Sequence, residues 1–137
     1  MAMKYESECY CTNLRRAAGA VADFYDELLK PSGLTAAQYS LLTNLAKLER
    51  ANITHWAERV GLERSTLVRN LKPLQERGLV EATEGHGKVF RLSESGQRAI
   101  EVAGPLWEQA QAQIENLLGE ESLSLKLLLR KLSKTEF

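Results

Sequence analysis

Between residues 64 and 72 the chain places Arg64, Ser65, Thr66, Arg69, Asn70 and Lys72, a set suited to one kind of chemistry. A guanidinium can give two parallel hydrogen bonds to the edge of a guanine, and a carboxamide can do the same to adenine. Hydroxyl groups in the first turn of a helix, with its free amides and its dipole, favour a phosphate. Farther on, Lys88 and Arg91, with His86, surround a Gly-rich turn and offer cations for a phosphate or minor-groove contact. The plain alternative is the solvated face of an amphipathic helix, which charge alone does not distinguish from a binding face.

Two other groups of residues carry chemical potential. Cys9 and Cys11 are the chain's two cysteines, too few for a disulfide framework. A sensor thiol needs a depressed pKa and access to oxidant. Cys11 lies near a helix start with Arg15 one turn on, the setting such a thiol uses; the plainer reading is a small apolar filler between helices. If both cysteines are helical they project about 200° apart and cannot close on one metal; a zinc site joining them to His55 or His86 requires a non-helical start. Arg15 or Arg16 with Tyr25, Tyr39, Trp56 and Trp107 would line a pocket for an apolar or aromatic acid, although aromatics at helical spacing are as readily core. For catalysis there is no nucleophile with an oriented base, no carboxylate pair, no metal spacing and no phosphate loop. The expectation is a protein that is not an enzyme and carries no cofactor and no metal.

These residues must be positioned by helices. Leu14, Ala17, Val21, Tyr25 and Leu28 recur at steps of three and four, predicting a helix over about Glu6 to Lys30 that ends at Pro31 and Gly33. Thr35 with Gln38 forms a capping box for a second helix to Leu48. A short third helix follows Ile53, with Thr54 as its N-cap and Trp56, Ala57 and Val60 inward. Gly61 and Leu62 make a turn, and a fourth helix runs from Glu63 or Arg64 to Gly78, a left-handed cap. In it Leu67, Leu71 and Leu74 form the buried side, leaving Arg64, Arg69 and Lys72 on or beside the solvent side. Pro73 conflicts with this helix, since it removes the bond to the Arg69 carbonyl.

The period then changes. Leu79–Thr83 and Lys88–Leu92 read as strands around Glu84-Gly85-His86-Gly87, a hairpin. Ser93 caps a fifth helix over about Glu94 to Leu118, with a kink expected at Gly104-Pro105, and a last helix runs from about Glu121 to Lys134. Helix, Gly-containing turn, helix and hairpin, in that order, are the layout of a winged helix-turn-helix. The fold class expected is mainly α with a small β-hairpin wing, in one domain over residues 1–137. Residues 35–98 would form the reading lobe, and residues 1–34 and 99–137 dimerisation helices.

Charge agrees in distribution. The whole chain is neutral, which by itself speaks against a nucleic-acid binder, but residues 50–98 carry 9 Lys/Arg against 6 Asp/Glu while both flanks are net acidic. With no long apolar run and no apolar N-terminal region, a cytoplasmic protein without membrane attachment is expected. The last helix has leucines at 125, 128, 129 and 132 and little in so short a chain to cover them; pairing with a second copy would do so.

Taken in order, Gly33-Leu34-Thr35, Gln38-Tyr39, Leu41-Leu42, Ile53-Thr54, Val60-Gly61-Leu62, Arg64-Ser65-Thr66-Leu67, Arg69-Asn70-Leu71, Leu74, Glu76 to Leu79, and Leu92-Ser93-Glu94 with Gly96 resemble the MarR family of bacterial regulators. The resemblance runs from about Cys9 to Leu118. It implies a homodimer with intertwined terminal helices, two winged lobes on a pseudo-palindromic double-stranded DNA operator, a role in transcription regulation as a repressor, and release by a small aromatic effector or by thiol oxidation. Counting back from Gln38, Cys11 falls where the organic-peroxide-sensing branch keeps its thiol, and Tyr25 where that branch has a nearby tyrosine. The residue chemistry nominates Arg64, Ser65, Thr66, Arg69, Asn70, Lys72, Lys88 and Arg91 for DNA and Arg15, Tyr39 and Trp56 for a ligand, and the resemblance adds Cys11 and Tyr25 for redox sensing. The wing departs from the family's Asp-x-Arg element, having Glu84-Gly85-His86-Gly87-Lys88 instead. A winged-helix module that binds protein and has lost specific DNA is the competing reading; an acidic or apolar fourth helix would mark it, and Arg64, Arg69 and Lys72 oppose it.

Overall fold

The computed structural model describes residues 7–83 and 87–137, so the hairpin tip with His86 lies outside the described residues. Six α-helices and one hairpin follow in the order α1 (Tyr10–Leu29), α2 (Ala36–Leu48), α3 (Ile53–Val60), α4 (Arg64–Glu76), β1 (Val80–Thr83), β2 (Val89–Leu92), α5 (Glu94–Leu118) and α6 (Ser122–Lys134). Short 3-10 turns at Lys30–Ser32 and Gly119–Glu121 join α1 to α2 and α5 to α6.

The caps explain most of the boundaries. Thr35 Oγ1 accepts from the Gln38 amide at 3.1 Å, and Gln38 Oε1 accepts from the Thr35 amide at 3.0 Å, the reciprocal box expected. Two starts differ from expectation. Asn52, not Thr54, caps α3, its Oδ1 accepting from the His55 amide at 2.8 Å. Cys9 is the N-cap of α1 rather than a helical residue: its backbone is extended and its Sγ accepts from the Thr12 amide at 3.5 Å. Pro73 stays inside α4 without ending it. Losing one bond there costs about 3 kcal/mol, while Leu67, Leu71 and Leu74 are all buried by the same helix and return about 1.5–3 kcal/mol each. Pro105 likewise lies within a continuous α5.

The core sits in the lobe between α2, α3, α4, the hairpin and the first half of α5. Trp56, Leu42, Leu45, Leu67 and Leu74 are fully buried there, with Phe90 facing Trp56 at 6.1 Å between ring centroids. The strands pair antiparallel, Val80 opposite Leu92 and Thr83 opposite Val89. A third pairing completes the sheet. Ala51, between α2 and α3, exchanges both backbone bonds with Phe90, at 3.1 and 2.9 Å. The hairpin is thereby tied to the front of the helix-turn-helix.

The foot of α5 is fixed equally closely. Ser93 Oγ donates to the Gly78 carbonyl at 2.6 Å and accepts from the Gly96 amide at 3.0 Å, while the Ser93 amide donates to the Leu79 carbonyl at 3.1 Å. Gly96 is buried, and a Cβ there would stand 2.2 Å from the Leu79 carbonyl oxygen. The obstacle is the Leu79 backbone, with Leu92 Cδ2 also 3.2 Å away, so a methyl has no easy escape. Gly96→Ala is expected to lower unfolding stability by at least about 2 kcal/mol; a urea-denaturation midpoint equal to wild type would contradict this close approach.

Candidate nucleic-acid interface

The helix-turn-helix is made by α3, a left-handed Gly61 (φ 74) and α4. The Leu62 amide donates to the Ala57 carbonyl at 3.0 Å and closes the turn. Because Leu67, Leu71 and Leu74 face the core, the opposite side of α4 is presented to solvent. Arg64, Ser65, Arg69, Asn70 and Lys72 are exposed and Thr66 is half-buried. Arg69 Nη2 donates to Thr66 Oγ1 at 3.4 Å, a contact at the long limit that restrains the guanidinium without engaging all its donors. Glu63, the N-cap, makes no side-chain bond to the leading amides of α4. Its carboxylate complements the helix dipole and works against an incoming phosphate at that point.

The structure separates the remaining cations. Lys88 is exposed at the start of the second arm of the hairpin. Arg91 is held by its cross-strand neighbour, with Nε 3.2 Å from Glu81 Oε2, both side chains about half exposed. Such an ion pair is worth at most about 1 kcal/mol, so Arg91 is restrained rather than withdrawn. Arg77 serves the fold, donating through Nη1 to the Gly33 carbonyl at 2.8 Å and so tying the end of α4 to the turn after α1. Sequence reasoning passed over Arg59, whose Nε donates to Asn44 Oδ1 at 3.1 Å beside an open depression of about 440 Å³ that also touches His55, Glu58 and Leu48. Arg59 sits one turn from His55 on α3, a spacing that could have marked it.

The residues nominated for an aromatic-acid pocket do not line a common opening. Trp56 has no exposed surface and its Nε1 donates to the Leu41 carbonyl at 3.0 Å; a ring with nothing exposed lines no pocket. Arg15 is exposed on the N-terminal half of α1. Tyr39 packs on Trp107 at 6.0 Å between centroids, and its hydroxyl pKa is raised by burial and then by Glu108. An apolar cavity of about 430 Å³ lies elsewhere, between α1, α5 and α6, walled by Leu14, Val21, Ile114, Leu118, Leu125 and Leu129 among others.

Cys9 and Cys11 are both exposed free thiols. The hydrogen bonds to Thr12 hold the Cys9 thiol below its ordinary pKa. Tyr25 stands about 21 Å from Cys11 along α1, at 1.5 Å per residue. Its hydroxyl donates to Gln111 Oε1 of α5, and its pKa is raised by burial and then by Glu115. Within one chain, then, the two residues do not meet. Among the described residues no three His, Cys, Asp or Glu side chains gather as a metal site, and no helix is long and apolar enough to cross a membrane.

Against known proteins, a family model described as MarR family matches residues 32–88. The chain is 34% identical to the M. tuberculosis transcriptional regulator MosR, solved in complex with DNA, over 93% of this chain and 95% of that one, with a TM-score of 0.84. It is 26% identical to the transcriptional repressor CouR bound to a 23-mer DNA duplex, over 98% of this chain and 99% of that one, also with a TM-score of 0.84. It is 33% identical over 81 residues, 59% of its length, to the phenylalanine–tRNA ligase alpha subunit of Thermococcus kodakarensis, of which it spans 15%.

Proposed function

The chain belongs to the MarR family of DNA-binding transcription regulators, and from that premise we propose that it acts as a homodimeric repressor on a pseudo-palindromic operator. In this reading residues 35–98 form the DNA-reading lobe, and residues 1–34 and 99–137 join the two copies. Arg69 and Asn70 read base edges in the major groove; Arg64, Ser65, Thr66 and Lys72 hold phosphates; Lys88 and Arg91 bring the wing to the backbone or minor groove. The observation that carries the reading is the exposed, cation-bearing face of α4, set between the Gly61 turn and a hairpin pinned by Ala51. The ligase similarity adds nothing to it, because the chain corresponds to 15% of such a protein.

Selection of bound duplexes from a random pool tests the reading. A two-fold symmetric site bound with a steep salt dependence is expected. Purified protein that shows no salt-dependent duplex binding would overturn it. Equal, weak binding to every sequence combined with tight capture of a protein partner would favour the interaction-module alternative.

Release of the operator is proposed to follow oxidation of Cys11 or occupation of an apolar site by a small aromatic effector. Exposure of Cys11 supports the first; the second would need a site between the terminal helices and the reading lobe, where Tyr39 packs on Trp107. Mild hydroperoxide should weaken operator binding of the wild type by at least tenfold and leave Cys11→Ser unaffected, read by fluorescence anisotropy. Unchanged wild-type affinity would remove the redox route and leave ligand control.

A further inference from the structure

Among the described residues from 35 to 98, Val68 is the one large hydrophobic side chain that is exposed, at 51% of its full surface. The other exposed large hydrophobics belong to α1, α5, α6 and the C-terminal end. A single surface valine is ordinary in itself; its place is what carries meaning. Val68 stands in the second turn of α4, one turn after Arg64 and one turn before Lys72, adjoining Arg69. A β-branched side chain there lowers helix propensity relative to alanine, and about half of it is left in solvent.

At about 100° per residue, Val68 lies on the flank of the exposed face centred near Arg69, on the side shared with Lys72. A helix about 10–12 Å across fills a major groove about 12 Å wide, so the flanks of that face meet the groove as well as its crest. The one apolar group a base pair displays in the major groove is the C5-methyl of thymine. We propose that Val68 is a specificity-determining residue that packs against a thymine methyl in each half-site, next to Arg69 and on the flank of α4 opposite Asn70. The inference rests on the duplex-binding reading above. It adds to that reading one base, one atom and one side chain.

The test removes the methyl without touching any hydrogen-bonding group. In the selected operator each symmetric pair of thymines is replaced in turn by deoxyuridine, and affinity is measured for the wild type and for Val68→Ala. Alanine is the better helix former, so the variant retains the fold, checked by circular dichroism. One thymine pair is expected at which the wild type loses about fourfold per half-site, the scale of one buried methyl group, while Val68→Ala loses nothing further. Elsewhere the two proteins respond alike. If Val68→Ala keeps the full deoxyuridine penalty at every position, or if no thymine methyl matters to the wild type, the inference fails while duplex binding stands. If the wild type binds no duplex at all, both fail together.

Discussion

Arg69→Ala is expected to weaken binding to the selected operator by about tenfold to a hundredfold per half-site, the range of one bidentate base contact, while barely changing affinity for an unrelated duplex. The reason lies in what the guanidinium has and lacks in the free protein. It is exposed on the crest of α4, and its one side-chain contact is the long bond to Thr66 Oγ1. Most of its donors therefore have only water to give up on meeting a guanine. Lys72→Ala should behave differently, weakening all duplexes evenly and lowering the salt slope by about 1 per half-site. Anisotropy titrations on operator and scrambled duplex at several salt concentrations distinguish the two. Equal losses on both duplexes for Arg69→Ala would place that side chain on the phosphate backbone and remove it from base readout.

The second large effect concerns α6. Leu123, Leu125, Leu127, Leu128, Leu129 and Leu132 are all exposed, between 39% and 63% of their full surface. Each buried leucine is worth about 1.5–3 kcal/mol, and within the described residues Leu125 and Leu129 of this set line the cavity shared with α1 and α5. A monomer would leave a long apolar face in water. Introducing Glu at Leu125 and Leu129 together is therefore expected to convert a dimer into a monomer in sedimentation. Operator affinity should fall by more than about a hundredfold, since two linked heads bind with an effective concentration that one head lacks. The buried Trp56 core is built from other elements, so its fluorescence and cooperative unfolding should persist. A variant that stays dimeric, or wild-type protein that sediments as a monomer, would contradict the dimer reading.

How far the chain could be read beforehand depended on whether a feature leaves a local trace. The Thr35–Gln38 box, the Ser93 cap, the left-handed Gly78 and the leucine steps of α4 are written in spacing, and the structure has them where that spacing put them. Cys9 as an N-cap was not legible because sulfur is a weak acceptor seldom used there. Asn52 and Thr54 compete within one turn, and only the backbone geometry decides for Asn52. The Ala51–Phe90 pairing involves a single residue and so has no period to detect. Composition could not tell a pocket aromatic from a core one: Trp56 is core, with its one polar atom satisfied by Leu41. Likewise the basic run from 64 to 77 concealed a division of labour, since Arg77 holds Gly33 while Arg69 faces outward. Val68 adjoins the buried leucine step without belonging to it, and only its exposure in the structure sets it apart.

The anchorage around Ser93 and Gly96 makes α5 a lever arm. Its 25 residues extend about 37 Å at 1.5 Å per residue. The short end is welded to the wing, and the long end reaches the leucine-rich cavity beside α6. A tilt of about 10° at the long end would swing the tip through roughly 6 Å over that length. Two such arms in a symmetric pair would change the span between their reading heads, and half-sites are spaced by a fixed helical repeat of about 34 Å. A tilt of that size would put the heads out of step with the duplex, with no need to alter α4 itself.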